Sequence, residues 1–520
     1  MSAIQMTYNP DYKSTDTAQT TISPVDLQPI SHRTYPTSEA LDATIARAAA
    51  AQKAWAAVPL AERIAIGHKF IEEFTGMSER LPGEITKQMG RPITQGAGEV
   101  RGFLERAKYL LSIAESSLSD ISLEGTDKPG FRRFMKRLPL GVVLVITPWN
   151  YPYLTAVNSV LPAIIAGNAV LLKPSPQTPL SGERFTLVRI SFFSVSSINY
   201  YTASTSRRRS KRRHHHSASP PKLTTQVIQS PLVNFVSFTG SVATGRAVEE
   251  AAVTAPGFKG VALELGGKDP AYVRADADLD YTAAELVEGA MFNSGQSCCA
   301  VERIYVHEEV YDNFVSKFVE IVKKYKLGDP TRQDVTIGPV VGLDAAKRIR
   351  KQIEDAVAAG AKALIPPEQF RASRAENCYV GPQVLVDVDH TMDIMKEEIF
   401  GPVVGIQKVA SDEEAVKLMN DTPYGLTASI WTNAAEHPES EEAFLKLEEQ
   451  LECGTVFLNR QVEFVLPSPP KCLNSCRCDY LDPELAWTGV KDSGRGISLS
   501  KFGYDQLTRV KNVHMKIKTT

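Results

Sequence analysis

The sequence predicts an α/β protein built on parallel sheets, from three observations. The run Val142-Val143-Leu144-Val145-Ile146, bounded by Gly141 and Pro148, is apolar without a break, as a strand buried on both faces requires. The stretch 234–252 reads strand, glycine turn, helix, an arrangement that offers backbone N–H groups and a positive helix end to a phosphate. Beyond Cys298, helical and strand patterns alternate regularly, as stacked βα units do. At 520 residues the chain is too long for one ordinary core, and roughly two to four domains are expected.

Composition narrows the class. Hydrophobic residues are 43% and charged residues 23%, the balance of a soluble globular protein. The net charge of −2 gives no electrostatic grounds for nucleic-acid or membrane partners. Seven cysteines without an apolar leader fit a reducing compartment, and no apolar run approaches the ~20 residues of a membrane span. The first 32 residues are rich in Thr, Ser and Pro and almost free of basic charge, unlike a mitochondrial presequence. They are expected to form a surface arm, and the location to be cytoplasmic.

In chain order, residues 38–118 are helical in pattern. Amphipathic runs at 40–58 and 60–75 are separated by Pro59, and Leu81-Pro82-Gly83 and Gly90-Arg91-Pro92 interrupt the helical pattern further along. A further helix is expected at 104–118, and the whole segment reads as scaffold. The strand at 142–146 runs into Thr147-Pro148-Trp149-Asn150-Tyr151-Pro152, a proline-flanked turn carrying a polar amide, with a helix expected from Asn150. The next strand, 168–173, ends in the lone cation Lys173, and the third opens into Thr239-Gly240-Ser241-Val242-Ala243-Thr244-Gly245. The turn Phe292-Asn293-Ser294-Gly295-Gln296-Ser297-Cys298-Cys299-Ala300 comes after an amphipathic helix and precedes a strand at 302–306, so a thiol is displayed at a helix end. Helices at 310–325 and 345–361, a strand at 384–388 and a buried strand at 454–459 complete the alternation.

Glu264-Leu265-Gly266-Gly267-Lys268, followed at a separation of 34 residues by Gly295-Gln296-Ser297-Cys298, resembles the paired signature of the aldehyde dehydrogenase superfamily. The resemblance covers about 35–520. It implies Cys298 as nucleophile, Glu264 as general base and Asn150 as the oxyanion-holding amide, joined by the Cys298 backbone N–H. It implies Lys173 on the adenosine ribose, Gly240, Ser241 and Gly245 nearest the phosphates, and Glu398 and Phe400, from Lys396-Glu397-Glu398-Ile399-Phe400-Gly401-Pro402, around the nicotinamide ribose and ring. Thr147, Trp149, Ser175 and Leu265 complete the implied coenzyme site. The coenzyme implied is NAD, with NADP open, because Pro176 stands where many NAD-using members carry a ribose-binding glutamate. No metal is expected.

The implied architecture is a Rossmann-type nucleotide-binding domain (1–120 and 139–266), an α/β catalytic domain (267–500) and a small β oligomerisation arm (121–138 and 501–520). The implied partners are an aldehyde and further copies of the chain, as homodimer or homotetramer. Asn158 stands where many members place an aromatic ring, which hints at a polar aldehyde.

Two stretches depart from the pattern. In 189–223, hydrophobic periodicity stops and Arg207-Arg208-Arg209-Ser210-Lys211-Arg212-Arg213-His214-His215-His216 appears where members have a helix and a strand. Nuclear-localisation, nucleic-acid and metal readings of that run are weaker than a solvated low-complexity insert arising from splicing or a retained intron. The stretch 461–477 is Pro-rich, and Cys472, Cys476 and Cys478 lack the second ligand pair of a standard zinc site, so a second insert is the preferred reading.

The residue types imply a two-stage reaction: thiolate attack on the aldehyde, hydride loss to NAD(P)+ leaving a thioester, then hydrolysis assisted by Glu264 to the carboxylic acid. The alternatives are a CoA-acylating aldehyde dehydrogenase, against which Glu264 speaks, and a catalytically impaired splice isoform.

Overall fold

The computed structural model describes residues 14–15, 17–123, 128–187, 220–460 and 481–518. The run 207–216 and the cysteines at 472, 476 and 478 lie outside these residues. Two parallel sheets dominate. In the first, the strands Gly260–Glu264, Val233–Thr239, Val142–Ile146 and Ala169–Lys173 are parallel neighbours in that order, and Gly494–Arg495 adds antiparallel to Gly260–Glu264. Val142–Ile146 is buried along its whole length, as its unbroken apolar pattern requires.

The second sheet has seven strands, ordered Lys362–Ala363, Gln383–Val386, Val403–Val409, Val301–His307, Asp269–Val273, Thr427–Trp431 and Thr455–Leu458. All pair in parallel except the short first strand. Thr455–Leu458 is half-buried rather than buried, because it is the edge strand of the sheet. A third sheet pairs Phe131–Pro139 antiparallel with Ile121–Ser122 and with Thr508–Lys516.

Helices cover both faces of the large sheets and supply the core. Phe70, Phe74, Phe103 and Tyr153 pack on one face of the first sheet, Ile45, Val227 and Val248 on the other. Leu286, Phe314 and Phe318 on one face of the second sheet are balanced by Ile349, Met395 and Met419 on the other.

Three expectations gain detail or change. Within the expected surface arm, residues Ala18–Ile22 and Pro29–Thr34 form an antiparallel hairpin. The hairpin is tied down by Thr21 Oγ1 donating to Pro176 O (2.8 Å) and Tyr379 Oη donating to Val25 O (3.2 Å). The helix expected from 104 begins at Ile93 and runs through the buried Gly96, Gly98 and Gly102; at Gly96 a Cβ would stand 3.1 Å from Pro82, so close helix packing repays its low propensity. The helix expected from Asn150 begins at Leu154, which leaves Asn150 on a turn. No described helix is long and apolar enough to cross a membrane.

Candidate active site

Parallel strands deliver their carboxyl ends to one edge of a sheet, and ligands bind where those ends open. Along that edge of the first sheet lie Thr147, Trp149 and Asn150 after one strand, Lys173 and Ser175 after the next, Gly240 and Ser241 after the third, and Glu264 and Leu265 after the fourth. Backbone bonds lock adjacent ends together: Thr147 N–H donates to Lys173 O, and Gly240 N–H to Glu264 O, both at 3.0 Å.

Ser241 caps the helix Val242–Val253, its hydroxyl accepting from Thr244 N–H at 3.4 Å. No acidic residue sits in that first turn, so the positive helix end is left to an external anion. At Gly245 a Cβ would stand 2.5 Å from Leu265 Cδ2, so any larger residue would displace the Leu265 side chain. Burial pushes Lys173 down to about 8.

The nucleophile turn is shaped by three successive left-handed residues, Asn293 (φ 52°), Ser294 (φ 59°) and Gly295 (φ 69°). A Cβ on Gly295 would lie 2.1 Å from Gly401 O, so only glycine fits. The turn leaves Cys298 half-buried and Cys299 buried against Ser297 Oγ (3.4 Å). The Cys299 thiol, and then burial, push the Cys298 thiol well above its ordinary range, with the Asp269 and Glu264 carboxylates acting in the same direction. Cys298 and Glu264 are thus close enough to feel each other's charge. The backbone of Gly267 passes so close to Cys298 O that a Cβ there would be excluded.

Asn150, buried, donates from Nδ2 to Gln296 O at 3.3 Å, so its amide is turned toward the backbone two residues before Cys298. Glu264 accepts from Ser498 Oγ at 2.5 Å and from Thr239 Oγ1 at 3.4 Å. Burial raises its carboxyl above the ordinary range, while Ser498, the Arg106 charge and Thr239 oppose the rise. Glu398 accepts from Gly267 N–H at 3.2 Å, and burial, helped by the Glu302 charge, pushes it up to about 8. The Phe400 ring stands edge-on to Trp149, with centroids 5.5 Å apart. Asn150 to Gln296, Trp149 to Phe400 and Glu398 to Gly267 thus tie the carboxyl edge of the first sheet to the nucleophile turn and to the 398–400 turn.

The structure gives a role to residues that the sequence reading left without one. Lys268 and Glu302, both fully buried, form an ion pair at 2.7 Å, and Glu302 also accepts from the backbone N–H groups of Ile399 and Phe400. That carboxylate therefore ties the Glu264–Lys268 segment to the Glu398–Phe400 turn, where Phe400 itself is left-handed (φ 54°). The sequence signal for Glu302 was a pair of charges, Glu302 and Arg303, inside a strand whose other residues are mostly apolar. From the segment read as scaffold, Arg106 donates to Leu154 O (3.1 Å) and Asn158 Oδ1 (3.2 Å). Asn158 is thereby engaged with a buried guanidinium whose charge reaches Glu264.

The profile of the aldehyde dehydrogenase family matches residues 12–190 and 217–513 of the chain, breaking off across most of the low-complexity stretch and running on through 461–477. D-glyceraldehyde dehydrogenase (NADP(+)) of Picrophilus torridus is 29% identical over 487 residues, covering 93% of this chain and 90% of the relative. Succinate-semialdehyde dehydrogenase [NADP(+)] of Mycobacterium avium is 30% identical over 442 residues, covering 84% and 83% respectively. Among solved structures, aldehyde dehydrogenase 21 of Physcomitrella patens in complex with the reaction product succinate superposes with a TM-score of 0.81 at 29% identity, covering 97% of this chain and 96% of that one. Profile, relatives and superposition agree with the geometry of the cleft, and the chain belongs to the aldehyde dehydrogenase family.

Proposed function

We propose that this protein oxidises a small polar aldehyde to its carboxylic acid with NADP+ as hydride acceptor. The observation that supports this reading most is the bond from Asn150 Nδ2 to Gln296 O, which brings the amide to the turn that carries Cys298. We assign the first sheet to coenzyme binding, the second to catalysis and the three-stranded sheet to subunit pairing.

The residues present fit a dinucleotide. The acid-free first turn of Val242–Val253 would hold the pyrophosphate, Lys173 and Ser175 the adenosine ribose, and Glu398 and Phe400 the nicotinamide end. The choice of NADP rests on Pro176, which places no carboxylate beside Lys173 to repel a 2′-phosphate, and on the relatives named for that coenzyme. When bound, the coenzyme supplies the acceptor for the substrate's hydride.

Cys298 attacks the carbonyl carbon. The Cys299 thiol and burial hold the Cys298 thiol above its ordinary range, so attack requires a further group to stabilise the thiolate. An amide carries two N–H donors, and the Asn150 donor engaged by Gln296 O orients the other toward the developing oxyanion. Each such donor is commonly worth ~3 kcal/mol in the transition state. Glu264, half-buried and held by Ser498 and Thr239, takes the proton of the water that hydrolyses the thioester. A small polar substrate is favoured because the Arg106–Asn158 pair makes this side of the cleft polar.

The test is a panel of hydroxy-, carboxy- and alkyl-aldehydes with NADP+ and NAD+, with Cys298→Ser as control. The proposal expects aldehyde-dependent NADPH formation that is lost in C298S. Undiminished activity in C298S, or no activity with any aldehyde, overturns it.

A further inference from the structure

The geometry points to Arg91 as the positioning residue that holds the oxyanion amide of Asn150 and the nucleophile turn of Cys298 in register. The inference deepens the proposed reaction and rests on that reading. Arg91 is 1% exposed and lies just after the helix Leu81–Met89, in a segment with no chemistry of its own. Each nitrogen of its guanidinium serves a different part of the fold. Nε donates to Asn293 Oδ1 (3.0 Å), Nη1 to Glu99 Oε2 (2.5 Å) and Nη2 to the Asn150 backbone carbonyl. The guanidinium carbon also stands 4.2 Å from the centroid of Tyr151, the residue after Asn150.

The partners extend the grip. The Asn293 amide donates to Gln296 O at 3.0 Å, the same carbonyl that Asn150 Nδ2 engages at 3.3 Å. Asn293 is also the first of the three left-handed residues that lead to Cys298, so the Nε bond fixes the turn where it begins. Glu99 receives the Tyr153 N–H on its second oxygen at 2.7 Å, just ahead of the helix Leu154–Ile165. Arg91 and Glu99 thus clamp the oxyanion turn from both ends, and one planar fork spans the two loops between which a carbonyl oxygen must sit. Lysine keeps the charge but cannot address three acceptors in one plane.

The test is a double-mutant cycle on the pre-steady-state burst of reduced coenzyme, using wild type, Arg91→Lys, Asn150→Ala and the double variant. Coenzyme affinity and thermal melting are measured on each. We expect R91K to slow the burst about 10- to 100-fold, the loss typical of an ångström-scale misplacement, with coenzyme affinity within about twofold of wild type. The double variant should lose clearly less than the product of the two single losses, because part of what Arg91 does passes through that amide. Losses that multiply in the double variant, or an R91K burst at the wild-type rate, overturn the inference while leaving the reaction intact. An N150A burst as fast as wild type would remove both the inference and the oxyanion assignment. If R91K melts too low to assay, Glu99→Gln replaces it in the cycle under the same criteria.

Discussion

Replacing Glu302 with glutamine should weaken the fold more than any other single isosteric change in the cleft. Its carboxylate is 2% exposed and pairs with a Lys268 ammonium that is fully buried, while its two oxygens also accept from Ile399 and Phe400 N–H. Burial alone drives Lys268 toward its neutral form, and the Glu302 charge opposes that shift. Glu302→Gln keeps the shape and one acceptor oxygen but leaves the lysine without its counter-charge. Removing one partner of a buried pair costs about 3–5 kcal/mol, and a backbone N–H left unsatisfied adds about 1–3 kcal/mol. A loss of about 4–8 kcal/mol is large beside the total stability of roughly 5–15 kcal/mol typical of a domain. The assay is denaturant unfolding of E302Q, followed by Glu302→Gln/Lys268→Met. Replacing both partners removes the stranded charge, so the double variant should regain most of the loss. A single variant as stable as wild type, or a double variant no better than the single, would refute the reasoning.

Two further outcomes concern the coenzyme side. Glu398, raised to about 8 by burial, holds in the folded protein a proton that the unfolded chain releases near ~4.3. Its contribution to stability is therefore full below that lower value and is lost as pH rises toward 8, so Glu398→Gln should flatten the melting temperature across pH 5–8; an unchanged slope would contradict this. Pro176→Glu should shift the NADP/NAD ratio of kcat/KM toward NAD by about tenfold or more, through like-charge repulsion of the 2′-phosphate. The Pro176 carbonyl that Thr21 engages is backbone and survives the change, and an unmoved ratio would count against the assigned ribose site.

The first sheet and its ligand-facing edge were legible because each strand is a short apolar run ending in a turn with distinctive chemistry, as at Val142–Ile146 with Asn150 and at Val233–Thr239 with Gly240. Local pattern carries that information. What it could not carry is pairing between distant segments. Ser498 reaches Glu264 across 234 positions, and Arg91 reaches Asn293 across 202. A segment dismissed as scaffold thus supplies Arg91, Glu99 and Arg106 to the cleft, because a buried charge inside a helical pattern looks like any solvated charge until its partner is known. The N-terminal hairpin was missed for a similar reason. Its Thr- and Ser-rich strands have little apolar alternation, and their order comes from docking onto the 176–177 turn and Tyr379. The half-buried state of Thr455–Leu458 likewise reflects its edge position, which composition does not encode.

The division of labour between Cys298 and Glu264 is tested most directly by rapid mixing of Glu264→Gln with aldehyde and coenzyme. In the proposed reaction, sulfur chemistry and hydride transfer fall to Cys298 and Asn150 and hydrolysis alone to the carboxylate, so the account predicts a burst of reduced coenzyme near one per active site and then stalled turnover. Equal loss of burst and turnover would contradict it.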